Sequence, residues 1–203
     1  MMDADTKSNT RRWGLDTTIE ALSARERLLN AAKLCYERKG IPKTTMEDIA
    51  SEARVTRRTV YRHFGSHQEV LNGVVHREAN LFWAELLQHL AFTDSFEEFI
   101  LEALIYTLKH APETPTHSFL FDQDILPVVN QIYLSSEDFI CQRAEILRPV
   151  YERFSPDTEL DLVMVTEWFN RIAVSYLATP SPFYQTEDEL RILFRAMLLP
   201  VFS

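Results

Sequence analysis

Glycine and cysteine are both scarce in this chain of 203 residues. Only four glycines occur and alternation of apolar with polar residues is almost absent, so the sequence indicates few or no β-strands. The two cysteines, Cys35 and Cys141, do not form a C-x-x-C pair. Each lies within an apolar helical pattern, which indicates a small buried side chain rather than a disulfide or a redox site.

The sequence also lacks the features of two other classes of protein. No apolar run approaches the roughly 18 residues of a membrane span, and the N-terminus lacks the apolar core of a secretory signal, so we expect a cytoplasmic protein without a membrane partner. No serine or cysteine nucleophile lies in a recognisable motif, and neither a phosphate loop nor a metal-ligand spacing occurs. We therefore expect no catalytic residue, no cofactor and no metal, and a small helical enzyme remains only an alternative.

Signals for helix starts are abundant. A serine or threonine followed three residues later by glutamate forms a capping box, in which each residue satisfies an exposed backbone N–H group. Apolar residues at spacings of three and four follow each box, so the sequence predicts an all-α fold. The pairs are Ser23 and Glu26, Thr44 and Glu47, Ser66 and Glu69, Ser95 and Glu98, and Thr186 and Glu189. Pro149 falls within an apolar helical pattern and is expected to kink or end that helix.

The positive charge is concentrated in one part of an acidic chain. The formal net charge is -9, but residues 21–67 hold 10 basic and 5 acidic side chains, a net charge of +5. Residues 68–203 hold 8 basic and 21 acidic side chains, a net charge of -13. A basic N-terminal part on an acidic body indicates a local site for a polyanion such as double-stranded DNA.

The basic part contains the pattern of a helix-turn-helix. Three short helices are expected at about 24–39, 45–53 and 57–63. The spacing of five residues predicts that they pack these helices together: Ile49, Ala50, Val55, Val60 and Phe64. The other face of the last helix then presents Arg57, Arg58, Tyr61 and Arg62, and arginine can bond bidentately to guanine in the major groove. The hydroxyls of Thr44, Thr45 and Thr56 lie at expected helix N-termini, where phosphates bind well.

Residues 25–71 resemble the DNA-binding region of the tetracycline-repressor (TetR) family. The resemblance rests on the segments RERLLNAAKLCYERKG and TTMEDIA, on the pattern V-T-x-x-T-V-Y-x-H-F at residues 55–64, and on a long helix that starts at Ser66. It implies an N-terminal three-helix DNA-binding domain with a helix-turn-helix, followed by a C-terminal helical domain for ligand binding and dimerisation. The implied function is a repressor that binds an inverted-repeat operator as a homodimer and is released by a small, apolar effector.

The resemblance divides the chain into three parts and implies a set of contacts. Residues 1–20 are expected to form a disordered arm, although Arg11, Arg12 and Trp13 could instead reach a minor groove. Residues 21–67 form the DNA-binding domain, and residues 68–203 form the effector-binding and dimerisation domain. The implied DNA contacts, with the helix starts above, are Thr44, Thr45, Thr56, Arg57, Arg58, Thr59, Tyr61, Arg62, His63 and His67.

Two positions depart from the family pattern. Arg54 stands in the turn, where the family usually has glycine, so the turn either stays helical or places arginine in a strained left-handed conformation. His67 stands where a lysine commonly opens the fourth helix, which predicts a DNA affinity that rises as the pH falls below 7. His63 and His67 are four residues apart, but Gly65 and Ser66 interrupt the helix between them, so no metal site is expected.

The C-terminal part carries broad apolar patterns but no motif. Two helices at about 158–178 and 186–199 are apolar on more than one face, so each needs a second packing partner. The resemblance to the TetR family implies that an intersubunit four-helix bundle supplies it, and burial within a monomer is the alternative. The residues expected at that dimer interface are Phe169, Ile172, Ala173, Tyr176, Leu193 and Met197. Aromatic residues that could line an effector pocket are Phe99, Tyr106, Phe121, Phe139 and Trp168. A helical interaction protein that has lost DNA binding is the remaining alternative.

Overall fold

The computed structural model describes residues 24–113, 126–156 and 160–197. All regular structure within these ranges is helical, which confirms the predicted all-α fold. The expected disordered arm, residues 1–20, lies outside the described residues. The helices are α1 (residues 24–39), α2 (Met46–Glu52), α3 (Arg57–His63), α4 (His67–His89), α5 (Phe96–Glu113), α6 (Leu126–Ser135), α7 (Glu137–Phe154), α8 (Leu162–Ala178) and α9 (Glu187–Met197), with a short 3-10 helix at Ile41–Lys43. None of the described helices is long and apolar enough to cross a membrane.

Local capping fixes where several of these helices begin. In three of the predicted boxes the hydroxyl accepts the backbone N–H three residues later, as the sequence predicts. These are Ser66 with Glu69, Ser95 with Glu98, and Thr186 with Glu189. Of the two alternatives for Pro149, the end of the helix is excluded because α7 continues to Phe154, and the kink stays a prediction. The Tyr151 hydroxyl donates to the Leu160 carbonyl over 3.0 Å and ties α7 to the segment before α8.

The chain divides into two compact units, Met1–Val74 and Val75–Ser203, and the division falls inside α4. The predicted domains at residues 21–67 and 68–203 were defined by function, and they stay a prediction. In the first unit, Ile49 and Ala50 of α2 are buried together with Val60 and Phe64 from the α3 region, while Val55 is half-buried. These residues therefore hold the helix-turn-helix as the sequence predicts.

The start of α4 packs closely within the first unit because residue 73 is glycine. A Cβ atom at Gly73 would lie 2.9 Å from Leu29 Cδ2 and 3.2 Å from the Phe64 ring. The Arg25 guanidinium lies over the same ring, 4.2 Å from its centre, and makes a cation–π contact with it. Gly73 thus permits a close approach between α1 and α4 that a larger residue would obstruct.

The second unit has its own core, built around α5 and α8. Phe99 and Leu104 of α5 are buried against the same cluster as Val165 and Phe169 of α8, and Phe194 of α9 is also fully buried there. Contacts join α5 and α8 to each other and to α7, and α6 also packs on α8. The core of the second unit is therefore formed by the sides of these helices that face one another.

This burial corrects part of the predicted dimer interface. Phe169 is 2% exposed and Ala173 is 5% exposed, so both side chains already lie in the core of one protomer and are not available to a partner. Ile172, Tyr176 and Leu193 are half-buried and pack against the same core. The broad apolar stripe of α8 therefore meets helices of its own chain first. Of the six predicted residues, Met197 alone is largely exposed, at 70%.

Candidate functional site

The helix α3 begins and ends where the sequence predicts. The Thr56 hydroxyl accepts the backbone N–H of Thr59 over 3.2 Å and lies 2.9 Å from the Thr59 hydroxyl, which caps the N-terminus. At the other end Phe64 leaves the helical conformation and its backbone N–H donates to the Val60 carbonyl. The seven residues between these caps form two turns, so their directions around the helix axis are fixed.

One face of α3 is buried and the other is basic. Val60 is fully buried, whereas Arg57, Arg58, Tyr61 and Arg62 are all exposed. Of these, Arg58, Tyr61 and Arg62 line an open surface depression together with Thr56 and Thr59. Neither Arg58 nor Arg62 has an ion-pair partner among the residues that the structure describes. The predicted basic face is therefore assembled on one short helix, and its use in DNA binding stays a prediction.

Arg57 differs from its two neighbours because it is engaged within the protein. One of its terminal nitrogens pairs with the Glu47 carboxylate of α2, and the other donates to the Tyr61 hydroxyl over 3.2 Å. The guanidinium carbon lies 5.1 Å from the centre of the Tyr61 ring. The side chains of Arg57 and Glu47 are 58% and 55% exposed, so solvent weakens this ion pair. A nucleic acid that recruits Arg57 has to displace Glu47.

The N-terminus of α2 lies one residue later than predicted. Thr45 is the capping residue: its hydroxyl accepts the Asp48 backbone N–H, and the Asp48 carboxylate accepts the Thr45 backbone N–H. Lys39 pairs with the same carboxylate at 2.5 Å, and this hydrogen bond and the bonds from Thr45 lower the Asp48 pKa to about 2.

Thr44 is only 5% exposed, and its hydroxyl donates to the Gly40 carbonyl over 2.9 Å. Thr44 closes the preceding turn and its hydroxyl is engaged there, so this geometry does not support its prediction as a phosphate contact, whereas Thr45 is exposed.

The turn between α2 and α3 is left-handed at Arg54, where φ is 55°. The Val55 N–H donates to the Ala50 carbonyl over 2.9 Å, and the Arg54 N–H donates to the Ser51 carbonyl over 3.1 Å. This pair of hydrogen bonds is the Schellman motif, whose left-handed position is usually glycine. The alternative that the turn stays helical is therefore wrong. The Arg54 side chain is exposed.

The two histidines do not belong to the exposed face. His63 and His67 are half-buried, and the Nε2 atom of each is buried without a hydrogen-bond partner among the described residues. The His67 ring makes an edge contact with buried Tyr36, with ring centres 5.6 Å apart. Burial lowers the pKa of both imidazoles below the ordinary value. Their assignment as DNA contacts is not supported by this geometry, and His67 gains charge at a lower pH than the sequence led us to expect.

The second unit contains a small apolar cavity of about 40 Å³. Its walls come from α4, α5, α6 and α8, and include Phe82, Trp83, Tyr133 and Phe169. None of the described residues predicted for the effector pocket lines it. Phe99 and Phe139 are fully buried in packing contacts, and Tyr106 and Trp168 are half-buried against the core; Phe121 lies outside the described residues.

Sequence reasoning missed several residues that the structure places at these sites. Glu47 was considered only as a cap, yet it pairs with Arg57. Thr107 and Asn130 line the cavity, and neither belongs to any motif. The apolar spacing of α8 did identify Phe169, but as an interface residue instead of a cavity wall. Only the spacing of the arginines carried a signal that could be read without the structure.

Comparison with known proteins gives one consistent result. A model of the tetR family of bacterial regulatory proteins matches residues 28–74. The chain is 24% identical over 178 residues to the HTH-type transcriptional regulator Rv1255c of Mycobacterium tuberculosis, and this match covers 88% of this chain and 85% of that protein. It is 30% identical over 102 residues to the HTH-type transcriptional regulator TtgW of Pseudomonas putida, and that match covers 50% of this chain and 75% of that protein.

A solved structure has the same fold. The TetR family repressor AlkX from Dietzia sp. superposes with a TM-score of 0.65 at 19% identity, and the match covers 87% of this chain and 93% of that one. These three similar proteins are regulators of transcription, not enzymes.

The strained turn leads to a prediction about stability. Replacing Arg54 with glycine removes the left-handed strain, so we expect Arg54→Gly to raise the free energy of unfolding by up to about 1 kcal/mol. Arg54→Ala serves as the control, because it removes the same charge but retains a Cβ atom. Urea denaturation of the three proteins measures the difference. An equal stability of the two variants would contradict the assignment of strain to this residue.

The buried histidine leads to a prediction about pH. Because burial lowers the His67 pKa, the unfolded chain binds more protons than the folded chain between the lowered pKa and the ordinary value of 6.5. Stability conferred by the neutral ring is therefore present above that range and is lost as the pH falls through it. We expect the thermal midpoint to fall between pH 7 and pH 5, and to fall less in His67→Leu. The same pH dependence in both proteins would exclude His67 as a source.

Proposed function

The chain belongs to the TetR family of bacterial regulatory proteins, and on that premise we propose that it is a repressor that binds an inverted-repeat operator as a homodimer. A small effector that binds in the second unit releases it from DNA. The observation that carries this proposal is the exposed basic face of α3, formed by Arg57, Arg58, Tyr61 and Arg62 in a chain with a net charge of -9.

Each residue of this face has a distinct part in the proposed complex. Arg58 and Arg62 have no ion pair to break among the described residues, so their guanidinium groups are ready to bond to guanine O6 and N7. Each such pair discriminates between bases by about 1–3 kcal/mol. Thr45 and Thr56 lie at helix N-termini, where backbone N–H groups and hydroxyls suit phosphate oxygens. Arg57 joins the complex only after it leaves Glu47.

A dimer is proposed because α3, the helix that would contact the bases, is short. One helix of seven residues contacts few base pairs, so two copies related by a two-fold axis are needed for a long operator, and their symmetry makes it an inverted repeat. Apolar side chains are exposed on α8 and α9, among them Met164, Ile192 and Met197, at 51%, 71% and 70%. We place the dimer interface on these residues in place of Phe169 and Ala173.

The effector response is assigned to α4. This helix contributes Phe82 and Trp83 to the cavity, and it starts at His67, four residues after α3 ends. A ligand that binds better to a state with a displaced α4 shifts the population toward that state, by as much as its affinities for the two states differ. The fold of the repressor AlkX is consistent with such a regulator.

Gel-shift titration against genomic fragments tests the DNA-binding proposal. We expect the wild type to bind one inverted repeat far more tightly than bulk DNA, with an affinity that falls steeply with salt. Arg57→Ala/Arg58→Ala should weaken operator binding by about 10- to 100-fold, because one base contact and one further cation of the basic face are lost. A helical interaction protein without a DNA-binding role would show no such preference.

A matched control separates the basic face from overall charge. Arg148→Ala/Arg171→Ala also removes two exposed arginines, but each of these pairs with a glutamate of its own helix in the second unit. This control should bind the operator nearly as well as the wild type. If both double variants lose the same affinity, or if neither loses any, the assignment of α3 is wrong.

The pairing of Arg57 predicts a gain in affinity. Glu47→Gln removes the carboxylate that competes with DNA for Arg57, so we expect operator affinity at low salt to rise about two- to fivefold. Glu52→Gln is the control, since it makes the same charge change on the same helix but releases Arg38 of α1. An equal gain in both variants would mean that net charge, and not the release of Arg57, is responsible.

A further inference from the structure

The cavity of the second unit is built for an uncharged molecule. None of its thirteen described lining residues is an acid, a lysine, an arginine or a histidine. Tyr133 is the only one that can titrate, and burial raises its pKa to about 12, so it is neutral at physiological pH. An ion placed here would lose its hydration without gaining a counter-charge from the wall. Four of the lining residues are aromatic, and Phe82, Trp83 and Phe169 among them carry no polar group beyond the indole N–H.

Two polar atoms in this wall lack partners. The Thr107 hydroxyl and the Asn130 side-chain oxygen are buried, and neither has a hydrogen-bond partner within the part of the chain that the structure describes. Thr107 as a whole is 8% exposed. Two other buried polar side chains of this unit are paired: the Thr166 hydroxyl donates to the Leu162 carbonyl over 2.7 Å, and Asn170, which also lines the cavity, donates to the Tyr133 carbonyl. Buried polar groups are normally paired, so the two exceptions mark where a ligand group bonds.

We propose that this cavity is the effector site and that it selects a small neutral molecule with an apolar body and one hydroxyl group, which bonds to Thr107 and Asn130. The inference rests on the proposed ligand-responsive function and names the class of ligand. A hydroxyl both donates and accepts, as does that of Thr107. It can therefore pair with the Asn130 side chain whether the oxygen or the nitrogen of the amide faces the cavity.

The size of the cavity couples binding to movement. An enclosed cavity of about 150 Å³ is known to hold benzene, whereas this one offers about 40 Å³. Leu177 of α8 lines both this cavity and a wider open cleft of about 400 Å³, to which Leu108 and Leu190 also contribute. A ring therefore enters by displacing Leu177 toward the cleft. The state that holds the ligand differs from the ligand-free state, as a switch requires.

Three compounds that share one ring test the proposal on the full chain. Phenol carries the hydroxyl, toluene replaces it with a methyl group, and benzoate replaces it with an anion. We expect calorimetric titration to give affinities in the order phenol, toluene, benzoate. Thr107→Val and Asn130→Leu should each weaken phenol binding about five- to tenfold, the effect of one hydrogen bond, and leave toluene binding unchanged.

Thr166→Val is the matched control, because it removes a buried threonine hydroxyl that does not line the cavity. It should leave the affinity for phenol unchanged. Circular dichroism checks that each variant folds. If Asn130→Leu does not fold, Thr107→Val and the wild-type preference for phenol over toluene still decide the question.

Several results would overturn the proposal. Failure of phenol to bind, equal binding of phenol and toluene, or an unchanged phenol affinity in Thr107→Val would each exclude the pair as a hydroxyl site. Preference for benzoate would exclude a site that selects a neutral molecule. Release of the operator is measured separately. Phenol that binds through Thr107 without releasing DNA leaves this site intact and refutes the proposed response.

Discussion

The position of the basic helix depends on one reversal of the backbone, at Arg54. The hydrogen bonds from Val55 to Ala50 and from Arg54 to Ser51 end α2 and set the direction in which the chain leaves it. Six residues after Arg54, Val60 is buried, and with Val60 on the buried face the arginines of α3 are presented to solvent. Arg54 therefore holds its strained conformation in the turn that sets the direction of α3.

Two electrostatic features bear on DNA binding: the basic and acidic residues lie in different parts of the chain, and one arginine of the basic face is paired with a glutamate. The net charge of +5 on residues 21–67 and of -13 on residues 68–203 directs a polyanion to the first unit. Within that unit the Glu47 carboxylate occupies the Arg57 guanidinium group. Since both partners are exposed, the pair contributes little to stability. In the proposed complex it would compete with DNA for Arg57 and so reduce affinity for phosphate in general, which would increase the relative importance of base contacts.

Local chemistry explains which parts of the structure could be predicted from the sequence. The bounds of α3 follow from Thr56 at one end and Phe64 with Gly65 at the other, so the range 57–63 was correct. Two adjacent threonines precede α2, and both can form a cap. The choice of Thr45 over Thr44 is made by burial, which a capping pattern does not contain.

Tertiary contacts explain the wrong predictions. The apolar stripe of α8 gave the correct set of residues but not the helices that they meet, so Phe169 was assigned to a partner protomer and lies in a cavity of its own chain. The aromatic residues predicted for the effector pocket do not line the cavity either. The atoms that we propose for ligand selection belong to Thr107 and Asn130, and these residue types are common in helices with no function. Their missing hydrogen bonds are visible only once the packing is known.

The unpaired atoms of the cavity and the strained turn at Arg54 both lower the stability of the folded protein. Each makes the ligand-free protein less stable than a sequence optimised for folding alone, and each lies where a binding partner can remove the penalty or use the side chain. In the proposed mechanism Thr107 of α5 and Asn130 of α6 select the ligand, whereas α4 lines part of the cavity and starts directly after the basic helix. Selection of the ligand and release of DNA would then belong to different helices, and a ligand that fits without displacing α4 would bind without being an effector.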